Sequence, residues 1–176
     1  MGVQVDIRPE RADDRMAVFA LNSRAFGRDS EARLVDALRN NAEVFIPALS
    51  LLATKGEAIV GHILLTRIKI QDGKGNRHAS LALAPMAVEP GLQKRGIGSQ
   101  LVRTGLETAG RLGFRSVVVL GHAHYYPKFG FVPAAKWDIR APFEVSADVF
   151  MAIELTEGGL KGVSGTVLYP DEFRGV

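Results

Sequence analysis

The stretch RSVVVLG, residues 115–121, is the tightest constraint on the fold of this chain. Its valines are β-branched and it is apolar on both faces, which suits a central strand buried on either side. The segments around it supply covering layers. VQVDIRP (3–9) alternates Val3, Val5 and Ile7 with polar residues and stops at Pro9, as a half-buried strand does. Residues 10–26 carry Met16, Phe19, Ala20 and Phe26 at helical spacing. After FGRDS, Asp29 or Ser30 can cap a second helix running through Asn40, with Leu34, Val35 and Leu38 on one face. LSLLAT (49–54), the turn KGE and AIVGHILLTRIKI (58–70) form a hairpin pattern, and ASLALAPMAV (79–88) follows a glycine-rich turn as a third strand. Ile97, Leu101, Leu106, Ala109 and Leu112 make a helical stripe that Gly113 can stop. A short helical turn falls at HAHYYPKFG, and two late strands at DVFMAIEL (148–155) and GTVLYP (165–170). The order β-αα-βββ-α-β-α-ββ describes a mixed α/β layer with strands before and after a central crossover helix.

A length of 176 residues suits one domain spanning 1–176. No repeat or linker divides it. The net charge of +3 suits an anionic ligand but is too small to imply nucleic acid, and the acidic residues are dispersed among the basic ones. There is no cysteine, which removes disulfides, thiolate metal sites and cysteine nucleophiles together. No apolar run approaches the roughly 18 residues that would span a bilayer as a helix. MGVQVDIRPE lacks the basic and apolar regions of a secretion signal, so the expectation is a cytoplasmic protein with no membrane partner.

QKRGIGSQL (93–101) places Gly96 and Gly98 where a helix is about to begin. A dinucleotide fingerprint would need a third glycine at position 101, which is Leu101. A nucleotide-triphosphate loop would need lysine and a hydroxyl where Ile97 and Gly98 stand. Two readings remain. Exposed N–H groups at a helix start favour bound phosphate, with Lys94 and Arg95 adding charge at the rim. The other is a solvated turn whose glycines only relieve strain.

APMAVEPGLQKRGIGSQLV (84–102) resembles the acyl-CoA-binding motif of GCN5-related N-acetyltransferases, the GNAT family, in which a bulged strand leads to Gln/Arg-x-x-Gly-x-Gly/Ala and a helix. Here that signature is Gln93, Gly96 and Gly98. YPKFGF (126–131) is similar to the family's Tyr-x-x-x-Gly-Phe. VGHILLT, VLGHAHYYPKFGFVPA and GGLKGVSGTVLYPDEF resemble a bacterial-type subgroup of N-acetyltransferases. The core resemblance covers 3–155, and the subgroup resemblance makes 156–176 a completion of the same domain. It implies the GNAT fold, a mostly antiparallel central sheet flanked by helices, and acetyl-CoA as co-substrate. It further implies that backbone amides at Met86, Ala87 and Val88 hold the pantetheine arm. Those of Gln93, Lys94, Arg95, Gly96, Ile97, Gly98 and Ser99 would hold the diphosphate. The strands at 79–88 and 115–121 would splay apart, and an amine acceptor would enter over Phe26 to Asp29.

Acetyl transfer needs a neutral amine, a polarised thioester carbonyl and a proton for the leaving sulfur. Without cysteine, direct attack in a ternary complex is favoured over an acyl-enzyme. A backbone N–H near Ala87 or Val88 is the candidate oxyanion donor. By its place in the tyrosine motif Tyr126 is the candidate general acid, with Tyr125 beside it read as packing. The strand 79–88 contains no carboxylate, Glu89 lies just beyond it, and Gly121 and His122 stand where relatives often carry asparagine. His62 is the candidate side-chain base because its pKa lies near working pH; its competing reading is a satisfied core histidine. A water chain is the alternative to a dedicated base. His78, His122 and His124 carry weaker cases, and the four histidines show no metal-ligand spacing. Trp137 and Phe143 are candidates for an acceptor pocket, while Arg8, Arg11, Arg15, Arg103 and Arg111 are read as solvated. A homodimer through the late strands is a further expectation, since their edge must be covered or paired. The leading competitor is a non-catalytic acyl-CoA-binding or regulatory module.

Overall fold

A computed structural model describes residues 2–176. The strand β1 (Asp6–Pro9) is followed by helices α1 (Arg15–Phe26) and α2 (Ser30–Arg39), then by β2 (Ser50–Lys55), β3 (Ala58–Gln71) and β4 (Arg77–Val88). Helix α3 (Ile97–Arg111) crosses over to β5 (Ser116–Leu120). Short 3-10 turns and the strands β6 (Val132–Pro133), β7 (Ile139–Arg140), β8 (Phe150–Glu154) and β9 (Gly165–Leu168) complete the order. The short helical turn expected after β5 is a 3-10 turn at Tyr126–Phe129. The segment from Val132 to Ala147, which has no clear periodicity, supplies the two shortest strands.

These strands make one sheet ordered β1-β2-β3-β4-β5-β8-β6, with β9 paired to the far end of β3 and to β7. Pairing is antiparallel except for β4–β5 and β7–β9. β5 is buried on both faces, as its composition requires: Val117 and Val119 pack beneath α3, while Val118 joins a second core with Ile70, Phe150 and Val167. α3 presses Ile97, Leu101, Val102 and Ala109 onto the sheet. Gly61 on β3 admits this contact, because a Cβ there would lie 2.9 Å from Leu101. Each fully buried aliphatic side chain of this kind contributes about 1.5–3 kcal/mol.

Two local expectations are corrected. In α1 the buried stripe is Val18, Leu21 and Asn22, whereas Met16 and Phe26 are exposed. Helical spacing holds, but the stripe is rotated from the one Met16 and Phe26 would define. Arg8 is not simply solvated; it forms a two-point pair with Asp14 at 2.7 and 3.0 Å. That pair holds the Asp14 carboxyl below its ordinary range, and its Oδ2 also accepts from Arg11 N–H at 2.7 Å.

Candidate active site

β4 opens the site. Its register against β3 steps from Ile63–Met86 to Leu65–Leu83, so β4 carries one extra residue around Ala84–Pro85. Proline lacks an N–H for the ladder, which suits it to a bulge. The parallel pairing of β4 with β5 extends only over Leu81–Val117 and Ala82–Val118. Beyond it the strands part, and a cavity of about 560 Å³ lies between them, walled by Leu83 to Met86 on one side and Val119 to His122 on the other.

Antiparallel partners alternate between exchanging both backbone hydrogen bonds and exchanging none. Glu89 N–H donates to Val60 C=O at 2.9 Å. By alternation, the Ala87–His62 pair exchanges bonds, while Val88–Gly61 and Met86–Ile63 do not. The backbone groups of Met86 and Val88 therefore face away from β3, toward the opening. Gln93 Nε2 donating to Val88 C=O at 3.2 Å agrees. Ala87, spent in the ladder, is corrected out of the set of amides available to an added strand. Of the two oxyanion candidates, only Val88 keeps a free N–H.

The loop 93–96 then turns into α3 with Lys94 at φ 62° and Gly96 at φ 86°. A side chain rarely adopts the second angle, so Gly96 is required by backbone conformation. Its added Cβ would meet only Gly2 Cα at 3.9 Å. The first intrahelical bond is Gln100 N–H to Gly96 C=O, 3.1 Å, which leaves the amides of Ile97, Gly98 and Ser99 without a partner inside the helix. Left-handed turns ahead of a helix start gather N–H groups into an anion-binding concavity. Gln93, Lys94, Arg95 and Gly96 are exposed at its rim, whereas the Ile97 side chain is buried beneath it. The N-terminal segment braces this loop: Val3 N–H donates to Arg95 C=O at 2.9 Å, and Gln100 Nε2 to Val3 C=O at 2.9 Å. Val3 thus serves the loop, outside the strand it suggests in sequence.

Tyr126 lines the cavity and is 7% exposed. Its ring packs edge-on to Phe131 at 5.6 Å. Gly121 makes room for it, since a Cβ there would fall 2.3 Å from the ring. Glycine at 121 therefore has a packing cause. Burial raises the Tyr126 pKa, so the hydroxyl keeps its proton throughout the neutral range. Tyr125 lies outside the cavity wall, beneath Lys128 Nζ at 4.1 Å and against Gly98.

His62 is corrected as a base. It is fully buried on the α1 side of β3 and does not line the cavity. Its Nδ1 lies 3.3 Å from Asn22 Nδ2 and its Nε2 3.0 Å from Ser50 Oγ. Ser50 Oγ donates to Glu10 Oε2 at 2.9 Å, and Glu10 is ion-paired with Arg39 at 2.6 Å. A neutral ring with its hydrogen on Nε2 satisfies every one of these contacts. Burial, reinforced by the Arg39 charge, lowers its pKa from 6.5 to about 3. Glu89 is also turned away, held by Arg24 at 2.7 Å. His122 lines the cavity, while His78 sits 3.5 Å from Asp72 in the β3–β4 turn.

The far wall was only partly legible in the sequence. Phe26, Arg28, Glu31 and Leu34 come from α1, α2 and their junction; Phe143, Tyr169 and Phe173 come from the C-terminal third, and of these Glu31, Leu34, Tyr169 and Phe173 were not expected. The Phe26–Asp29 expectation meets this wall at Phe26 and Arg28. Phe143 does line the cavity, whereas Trp137 packs in the second core. Among the described residues no cluster of three metal-ligating side chains occurs, and no helix is long and apolar enough to cross a membrane.

Residues 47–133 match the model of the acetyltransferase (GNAT) domain. The chain is 45% identical over 124 residues to the uncharacterized N-acetyltransferase YjhQ of Escherichia coli, covering 69% of this chain and 66% of that relative. It is 33% identical to the uncharacterized N-acetyltransferase YhbS of E. coli, covering 96% and 98% of the two chains. The crystal structure of YhbS in complex with CoA superposes with a TM-score of 0.88 at 31% identity, covering 98% of this chain and 93% of that one. A GNAT family acetyltransferase from Brucella melitensis, in complex with acetyl-CoA, gives 0.78 at 29% identity over 97% and 98%. Full-length identity to an N-acetyltransferase, joined to the splayed strands and the amide-bearing loop, shows that this chain belongs to the GNAT acetyltransferase family.

Proposed function

We propose that the chain transfers the acetyl group of acetyl-CoA to a primary amine by direct attack in a ternary complex. The observation that carries this reading is the opening between β4 and β5, lined by Met86 and Tyr126, together with the amides of Ile97, Gly98 and Ser99 left without an intrahelical partner where α3 follows β4. The amides of Ile97, Gly98 and Ser99 suit a diphosphate, with Lys94 and Arg95 at the rim. The pantetheine arm would add to β4 at Met86 and Val88. The relatives with CoA and acetyl-CoA bound support the same co-substrate.

In the reaction the amine nitrogen forms a bond to the acetyl carbon and the carbon–sulfur bond breaks. One proton leaves the nitrogen and one reaches the sulfur. Val88 N–H, unpaired with β3, would donate to the developing oxyanion. Tyr126, kept protonated by burial, would give its proton to the thiolate. With His62 and Glu89 both engaged elsewhere, water in the open cavity would take the amine proton. The acceptor side provides positioning.

Thermal-shift titration with CoA and acetyl-CoA, followed by free-thiol release with an amine panel, tests the assignment. Binding with no release on any amine would instead identify a non-catalytic acyl-CoA-binding module. Tyr126→Phe should leave the acetyl-CoA shift intact and reduce turnover by roughly 10²–10⁴-fold. Full activity of that variant across pH would remove Tyr126 from the acid role.

A further inference from the structure

The amine proton needs a destination, and few side chains around the cavity can take it. Resting on the transferase reading, we propose that His122 is the general base of the reaction. It receives the amine proton through cavity water and passes it to solvent.

Among the described residues, the charged or titratable side chains lining the cavity are Arg28, Glu31, His122, Tyr126 and Tyr169. Arg28 is a cation with donors only, so it has no atom to accept a proton. Glu31 is engaged by Arg28, whose Nε lies 3.1 Å from each carboxylate oxygen. That contact holds the Glu31 carboxyl below its ordinary range, which makes it a weak base. Burial raises both tyrosine hydroxyls, Tyr169 to about 12, so both keep their protons at neutral pH. Only His122 is left. A neutral imidazole always carries one ring nitrogen that accepts, and histidine is the side chain suited to exchange protons near neutral pH.

The backbone around His122 is held from both sides. Gly121 N–H donates to Val149 C=O at 2.9 Å, and His122 C=O accepts from Tyr125 N–H at 3.1 Å and Tyr126 N–H at 3.4 Å. The last bond closes a single turn, so a proton acceptor and the proton donor Tyr126 reach the same cavity from one short segment. His122 is also exposed, which lets it discharge to bulk water a proton gained inside. His62 has both ring nitrogens held and His78 lies 3.5 Å from Asp72, whereas the His122 ring has no such partner among the described residues. The other charged groups nearby do not compete. His124 and Lys128 on the same segment do not line the cavity, and Asp148, next to Val149, accepts from Ser146 Oγ.

As the nitrogen–carbon bond forms, the amine proton moves to water, and that water gives a proton to the His122 ring. The imidazolium then loses it to solvent. Tyr126 supplies the separate proton to sulfur and is reprotonated from cavity water, so the two transfers balance.

The test measures thiol release from acetyl-CoA with 2-phenylethylamine, butylamine and glycinamide as acceptors. With the fastest of these, His122→Gln should lower kcat on the order of 10²-fold while leaving the KM for acetyl-CoA and the melting temperature unchanged. At saturating amine, the native kcat should fall as pH drops and the base takes up a proton in advance; His122→Gln should lose that acid limb. His122→Ala should regain several-fold of its rate when imidazole is added, a rescue that a purely structural role would not permit. Native turnover in both variants, an acid limb kept by His122→Gln, or no rescue by imidazole would overturn the assignment and leave the transferase reading intact. No thiol release by the native protein with any of the three amines would remove the base together with the reaction it serves.

Discussion

The loop at 93–99 leads into α3, which packs over Gly61 on one face of the sheet, whereas the polar cluster around His62 lies on the other face beneath α1, and the two use hydrogen bonding differently. The loop ends in amides at Ile97, Gly98 and Ser99 that no group within the helix satisfies, beside the exposed residues Gln93 to Gly96. The cluster of Glu10, Arg39, Ser50, His62 and Asn22 is buried and occupies both imidazole nitrogens, although Asn22 Oδ1 and Arg39 Nη2 find no partner. Both regions attract attention in the sequence for carrying polar or permissive residues among apolar ones. What separates them is access: the loop residues Gln93 to Gly96 are exposed, whereas Asn22 and His62 are sealed in the core, where even an unspent bonding group cannot reach a ligand.

The sharpest way to break this contrast is to open the closed cluster. Glu10→Ala leaves the Arg39 guanidinium, 5% exposed, without its inner partner. Removing one member of a buried pair costs about 3–5 kcal/mol, to be read by urea denaturation. The acetyl-CoA affinity of the folded fraction should not change; a large loss would mean that the cluster and the loop are coupled.

The pH dependence of stability gives the next largest effect. A histidine lowered from 6.5 to about 3 stays neutral in the folded state while the unfolded chain takes up a proton. The unfolded state then binds more protons, so this contribution to stability is full above pH 6.5 and falls as pH drops toward 3. Between pH 6.5 and about 4.5 the loss amounts to roughly 2 kcal/mol. Asp14 and Glu31, held low by arginines, add a further loss at lower pH. His62→Gln should flatten the upper part of the curve in chemical denaturation at stepped pH. The kcat/KM profile of the native protein should show no His62 ionisation, and one that vanished in His62→Gln would restore it as the base.

The loop itself should yield the smallest stability change and the clearest functional one. Gly96→Val forces a β-branched residue to φ 86°, costing about 1–2 kcal/mol. It should also tilt the amides out of alignment and abolish the thermal shift with CoA. Retention of that shift would mean that the diphosphate is held elsewhere.

Much of this was legible along the chain. Central burial of β5 follows from three adjacent valines, and the amide-bearing loop from glycines at a strand–helix junction. The tyrosine of the site stands in a recognisable motif. Other features were not legible. The α1 stripe turned out rotated because Met16 and Phe26 look apolar in sequence, although nothing covers Met16 and Phe26 lies at the cavity. Ala87 could not be told from Met86 and Val88 until the register with β3 was known, because only pairing decides which amides are spent. Gly121 looked like a departure from a family pattern until the Tyr126 ring was seen to occupy the space of its missing Cβ.

The sequence by itself determined the broad element order, the mixed sheet and the glycine-bearing loop at a strand–helix junction, because periodicity and backbone permissiveness are properties of neighbouring residues. Only the tertiary structure decided that His62 is closed off while Glu31 faces the cavity, and that Phe143 and Tyr169 come together to wall it. These outcomes depend on contacts between segments as far apart as 31 and 169. Local pattern carries no information about which face such segments present to one another, and burial, pairing and access are fixed only when they pack.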